Sequence, residues 1–251
     1  MPRVSLIVPV YRAERWIAEC TASIQAQTYK DVELLVIDDA QGSGAWAARN
    51  RGLAKAGGEF IAFCDADDYL SPDALEKMVA AMDGADMVAA SFRKFGEFEM
   101  TVSHETKLMQ DWQVAHYAMG NMRNPRANQL LSGCWAKLYR RGLVGTFPPL
   151  TTAEDMALNF DCLTRCSNVR FLSDVVYHNR KRTGSLSTTF SDDNRAGLFG
   201  FMDALKYVKR FLLEFYPPGE VEDALDSSKT YHAILYAQRI GQDALKKVFP
   251  L

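Results

Sequence analysis

Between Phe60 and Pro72 the chain reads FIAFCDADDYLSP, an apolar run that breaks into Asp65, Asp67 and Asp68. An apolar run of that length with a sharp polar end is the pattern of a buried strand in an α/β sheet. In such sheets ligands sit beyond the carboxyl ends of the strands, which is where these aspartates emerge. Ser71 and Pro72 then predict a helix start, with Ser71 as N-cap and Pro72 at the first helical position. Leu75, Met78, Val79 and Met82 follow on one helical face.

Like charges held together raise each other's pKa and cost free energy unless a cation offsets them. Hard carboxylate oxygens suit Mg²⁺ or Mn²⁺, and Mg²⁺ is commonly held by one or two carboxylates plus substrate phosphates. The plainer reading is an acidic helix start that complements the macrodipole, which is enough to account for Asp73.

A second strand ends the same way. Val32–Ile37 is apolar apart from Glu33 and runs into Asp38-Asp39, so two strands deliver carboxylates to one edge. The first strand, Val4–Val10, tolerates Pro9 only near its end or at an edge, and Tyr11 follows it into the same crevice if the sheet is parallel. Trp16, Ile17, Cys20 and Ile24 predict a helix, with Trp16 read as core. Gln41-Gly42-Ser43-Gly44 predicts a turn into a helix through Trp46, Arg49 and Leu53, closed by Gly57-Gly58. Its spacing is not that of a dinucleotide loop.

Further along, Met87–Phe92 predicts a strand, and 92–103 a hairpin turning at Gly96. Residues 109–128 hold a short helix and a polar loop. Ala153-Glu154-Asp155 opens another helix, where acidic residues suit the dipole without any chemistry. Val169–Leu172 and Val175–His178 predict two short strands ahead of the cationic loop Arg180–Ser185. From Arg195 the spacing is helical only, with Leu198, Phe201, Met202, Leu205, Val208 and Leu212 in the first helix. Leu225, Ile234, Leu235, Ile240, Leu245 and Val248 lie in the second. The simplest reading is a helical C-terminal appendage packed on the domain; a homodimer face or a peripheral membrane-surface face is the sharper one.

The formal net charge of −2 gives no electrostatic reason to expect a nucleic-acid partner. No apolar run approaches the ~20 residues that span a bilayer. Five scattered cysteines suit a reducing compartment, and Cys162 and Cys166 have no second pair to make a zinc site. The expected location is the cytoplasm, including the inner face of its membrane.

In order, VSLIVPVY at 4–11, ELLVIDD at 33–39, ARNRGLAKAGGEFIAFCDADDYLSP at 48–72, WAKLYRR at 135–141, AEDMALNF at 153–160 and VVYHNRKRTGS at 175–185 resemble the family-2 inverting glycosyltransferases. The resemblance spans about residues 3–190 and is carried by the ordered set, since a lone D-x-D is weak. It implies a GT-A fold, a mostly parallel α/β sheet flanked by helices. A catalytic domain over residues 1–190 would be followed by a helical extension over 191–251.

It further implies a nucleotide-sugar donor with Mn²⁺ or Mg²⁺ on its diphosphate, and a glycan or lipid-linked acceptor. Pro9 and Tyr11 would line the base pocket, Asp39 would accept a hydrogen bond from the base, and Arg49 would lie near the nucleotide. Asp65 and Asp67 would contact ribose and metal. Asp67, Asp68 and His178 are the candidate metal ligands, and the motif leaves open which aspartate touches the ion. Asp155, with Glu154 beside it, matches the general base. Arg180 and Arg182 would face the diphosphate, Trp135 and Lys137 the acceptor. Tyr11 with Asp39 favours a pyrimidine base, hence UDP. Two departures stand out: Ala40-Gln41 where Gly-Ser is usual, and Arg12 where Asn is common. The altered loop motivates a rival, a nucleotide-sugar-binding protein without turnover. A nucleotidyltransferase would need a Gly-rich, Lys-containing loop after the first strand, and Tyr11-Arg12-Ala13-Glu14 is not one.

Overall fold

The computed structural model describes residues 3–182 and 195–240. Thr183, Gly184 and Ser185 of the cationic loop, the boundary at 190/191, and Leu245 and Val248 lie outside the described residues.

Strand β1 (Val4–Val10) lies between β2 (Val32–Asp38) and β3 (Phe60–Phe63), parallel to both. Helices α1 (Ile17–Gln25) and α2 (Ala45–Leu53) make the crossovers. Val4, Leu6, Ile7 and Val8 are all buried, as expected where a parallel sheet is covered on both faces. Gly52 lets α2 lie close on the sheet: a Cβ there would stand 2.5 Å from Ile7 Cγ2.

The rest of the chain builds the other half of the sheet. Its elements are β4 (Tyr69–Leu70), α3 (Ala74–Ala80), β5 (Met87–Gly96), β6 (Met100–Val102), β7 (Lys107–Gln110), α4 (Asp111–Arg123), β8 (Lys137–Arg140), α5 (Glu154–Leu163) and β9 (Asn168–Lys181). Among the described residues the strand order is β2-β1-β3-β8-β5-β9-β4, with β6 on β5 and β7 on β9. Strands β5 and β9 are parallel, and β8, antiparallel to β3 and β5, joins the two parallel blocks. The expected α/β architecture with a mostly parallel sheet and flanking helices is present.

Helices α6 (Arg195–Leu212) and α7 (Pro218–Ile240) follow. Leu205, Val208, Phe211 and Leu212 are buried, and Phe211 meets Phe160 of α5 edge-on at 5.7 Å. Among the described residues no helix is long and apolar enough to cross a membrane.

Two local expectations are corrected. Ser71 does not cap α3, which begins at Ala74; its hydroxyl donates across β4–β9 to the Val175 carbonyl at 2.8 Å. The pairing of Tyr69-Leu70 with β9 draws Ser71 into the sheet instead. The two short strands at 169–178 are one strand, β9. Ser173 and Asp174 interrupt the apolar run as a bulge, not as an end, and the Ser91 hydroxyl there donates to the Leu172 carbonyl at 3.0 Å.

Candidate active site

The carboxyl ends of β1, β2 and β3 open on one edge, and α2 ties together the acids that gather there. Asp39 accepts N–H groups from Ser43 at 3.2 Å and Gly44 at 2.9 Å, and Arg51 from α2 donates to it at 2.9 Å. Burial opposes its charge, but Arg51 and the two backbone N–H groups outweigh that and hold its carboxyl below the usual range. This closes the loop at Ala40-Gln41 as a tight turn, with Gly42 and Gly44 at φ of 66° and 99°. The Tyr11 ring, 46% exposed, lies against Gly42, where a Cβ would sit 3.4 Å from it. Oδ2 of Asp39 accepts only one of these hydrogen bonds among the described residues, so it keeps a free lone pair.

Two positions earlier on α2, Arg49 reaches the other way. It donates to Asp65 Oδ1 at 2.8 Å and to Glu154 Oε1 at 2.6 Å, and is 4% exposed. Expected beside a nucleotide, Arg49 is taken up in holding β3 to α5. A guanidinium this buried is tolerated only because carboxylates meet it.

The acidic motif is sorted by side-chain direction. Asp68 turns inward and accepts the Tyr177 hydroxyl at 2.6 Å, Asn179 Nδ2 at 2.8 Å and the Arg180 N–H at 2.7 Å. Burial, then the charges of Asp65 and Asp67, push its carboxyl up to about 8. The Tyr177 hydroxyl also accepts the Asp65 N–H at 3.0 Å, which fixes the motif's backbone. Successive strand residues point to opposite faces, so His178 projects away from Tyr177 and Asn179. It stacks on Tyr69 at 4.4 Å and meets Ser71 Oγ at 3.0 Å. Of the three candidate metal ligands, Asp68 is thus engaged inside the fold, His178 is half-buried with its Nδ1 unpartnered among the described residues, and Asp67 is placed apart from both. Arg182 pairs with Asp67 Oδ2 at 2.9 Å. Arg180 holds the Asp67 carbonyl at 2.9 Å and Glu19 at 2.5 Å, sandwiched between Trp16 and Phe95. Trp16, read as core, is thereby also a support for this arginine.

On the far side, α5 starts at Ala153, which has φ 60°. Glu154 points at Arg49, while Asp155 accepts the Met156 N–H at 2.8 Å and is otherwise unpaired among the described residues. Burial, with the Glu154 charge next and Arg49 opposing, pushes Asp155 up to about 7. Trp135 stacks on Tyr177 at 5.0 Å, and Lys137, 2% exposed, donates to the Trp135 carbonyl at 3.2 Å. Burial lowers the Lys137 ammonium to about 8. Ala136 between them has φ 54°, and Arg12, beside Tyr11, has φ 48°. Arg12, Ala136 and Ala153 are three of the four non-glycine left-handed residues described, and each adjoins a candidate site residue in sequence: Tyr11, Trp135 with Lys137, and Glu154. Strain of this kind collects where surrounding structure must hold a working geometry. It also explains why Asn, which tolerates this region, is common at the position of Arg12.

The donor set left over for a divalent ion is small. Asp65 Oδ2 and Asp67 Oδ1 have no partner among the described residues, and no group of three or more ligating side chains gathers there. One or two carboxylates completed by phosphate oxygens is the usual Mg²⁺ arrangement. Sequence reasoning missed Tyr177, Asn179 and Arg51. Alternation along Val175–Asn179 was the available signal, since it puts Tyr177 and Asn179 on one face.

A family model described as glycosyl transferase family 2 matches residues 5–43 and 40–146. EpsH of Bacillus subtilis is 29% identical over 221 residues, covering 74% of this chain and 62% of EpsH. Glycosyltransferase GlyA of Streptococcus pneumoniae is 26% identical, covering 76% of this chain and 32% of GlyA. The chain therefore spans under two thirds of either relative. Among solved structures, Staphylococcus aureus TarS 1–349 in complex with UDP-GlcNAc superposes with a TM-score of 0.74 at 20% identity, covering 98% of this chain and 79% of that one.

Proposed function

This chain belongs to glycosyl transferase family 2 and has the GT-A fold, and we propose that it transfers a sugar from a nucleotide-diphosphate donor to an acceptor hydroxyl with inversion. The donor favoured is a UDP-sugar, and the acceptor is a glycan or glycoconjugate. The observation that supports the reading is the pair of α2 arginines: Arg51 pairs with Asp39, and Arg49 with Asp65 and Glu154, so one helix ties together acids from three distant segments.

In this reading Tyr11 and Pro9 bed the base and Asp39 accepts its N–H. Asp67 and Asp65 would hold a Mn²⁺ or Mg²⁺ ion, which would supply charge neutralisation at the diphosphate. Arg182, close to Asp67, adds a cation at the same place, while Arg180 keeps the Asp67 backbone there. Asp155 takes the acceptor proton as its oxygen attacks, on the face away from the leaving group. A base near pH 7 both ionises and retains basicity, which suits that task. No covalent nucleophile is required, and a single displacement inverts the anomeric centre.

The test is a panel of nucleotide sugars with Mn²⁺, read by nucleoside diphosphate release and by NMR of the product's anomeric proton. Release of UDP with a product of inverted configuration is expected. Retention of configuration, or donor binding without turnover against a broad acceptor panel, would overturn the proposal.

A further inference from the structure

The same reasoning that makes three clustered aspartates expect a cation applies in reverse on β5 and β9. Lys94 stands opposite Asn179 in that ladder and Gly96 opposite Lys181, so the two lysines are diagonal neighbours. Alternation places Lys181 on the same face of β9 as Tyr177 and Asn179. Lys94 donates to Gln129 Oε1 at 3.0 Å, and among the described residues neither lysine meets a carboxylate. Arg49, Arg180 and Lys77 do meet carboxylates, whereas Lys137, like Lys94, meets only a neutral acceptor among the described residues. Burial, then the charge of Lys181, lowers the Lys94 ammonium to about 8, as expected for two cations held together without an anion.

A second observation points to a ligand. Asn179 is 8% exposed, its Nδ2 is committed to Asp68, and its Oδ1 has no hydrogen-bond partner among the described residues. A buried acceptor without a donor is costly and uncommon. Gly96 has φ 109°, and a Cβ there would come 2.4 Å from the Lys181 carbonyl, so position 96 itself adds no side chain beside the two lysines. A row of contacts leads back to the crevice. Lys94 Nζ lies 5.7 Å from the Phe92 ring centre, and Phe92 meets Trp135 at 4.5 Å. The Trp135 carbonyl holds Lys137.

We propose that Lys94 and Lys181, with Asn179 and Gln129 beside them, form an acceptor subsite for an anionic group carried on the glycan or glycoconjugate, a phosphate or a carboxylate. The inference rests on the transferase reading above and adds the charge of the acceptor. Asn179 Oδ1 supplies the acceptor for a hydroxyl next to that anion, and the lysines supply charge-assisted donors.

The experiment uses the full chain saturated with UDP and Mn²⁺, titrated by calorimetry with methyl phosphate, methyl glucuronoside and neutral methyl glucoside. One of the two anions should bind with UDP in place, and the winner separates a phosphorylated acceptor from a uronic one. The double variant K94Q/K181Q should weaken that binding at least tenfold with UDP affinity unchanged, and K94R/K181R should retain it. Binding of neither anion, equal binding of the neutral glucoside, or undiminished binding by K94Q/K181Q would overturn the proposal. Failure of UDP itself to bind would contradict the donor reading, and the anion titration of the free chain would then decide this one.

Discussion

Two pairs of adjacent acids, Asp67-Asp68 at a strand end and Glu154-Asp155 at a helix start, meet the same crevice and are treated alike. In each pair one carboxylate is built into the fold. Asp68 takes three hydrogen bonds from β9, and Glu154 is clamped by Arg49. The other member is less committed. Asp67 pairs with Arg182. Asp155 accepts only the Met156 N–H among the described residues and is surrounded by burial and a like charge. In the function proposed above, one acid of each pair holds the site and the other works in it.

The largest effect expected from breaking this division is in Asp155→Asn. Removing a general base should lower kcat by about 10²–10⁴-fold, while UDP binding by calorimetry and Tm stay near wild type. Arg49→Met comes next, because it strands two acids. Breaking a buried ion pair costs about 3–5 kcal/mol, to be read as a lower denaturation midpoint in urea. The strand-end pair should then separate cleanly. Asp68→Asn puts donors against donors and should cost about 1–3 kcal/mol of stability, with metal dependence kept. Asp67→Asn should leave stability nearly unchanged and abolish the gain in UDP affinity on adding Mn²⁺. If Asp68→Asn abolished that gain and Asp67→Asn kept it, the assignment within the pair would be reversed.

Much of this was legible in the sequence. Val4–Val10, Val32–Ile37 and Phe60–Cys64 announced a buried sheet with acids at its edge, because apolar runs ending in aspartates have few other uses. The division within each pair was not legible. Adjacent residues share composition and spacing, and only a partner from elsewhere decides between them: Tyr177 lies 109 positions from Asp68, and Arg49 lies 105 from Glu154. Ser71 misled for the same reason: its local pattern suits a cap, but the pairing of Tyr69-Leu70 with β9 draws it into the sheet. The bulge at Ser173-Asp174, which read as a break between two strands, was hidden in the same way.

The account turns on Asp155 as the base, and its ionisation offers the most direct test. Below about pH 7 the folded carboxyl is protonated and cannot take a proton, so kcat/KM should fall on the acid side with a limb near 7. The Glu154 charge is a cause of that raised value, so Glu154→Gln should move the limb to lower pH. A measured kcat/KM profile with a limb near 7 in wild type, shifted down in Glu154→Gln and missing from the residual activity of Asp155→Asn, is the predicted result. The same limb persisting in Asp155→Asn would contradict it.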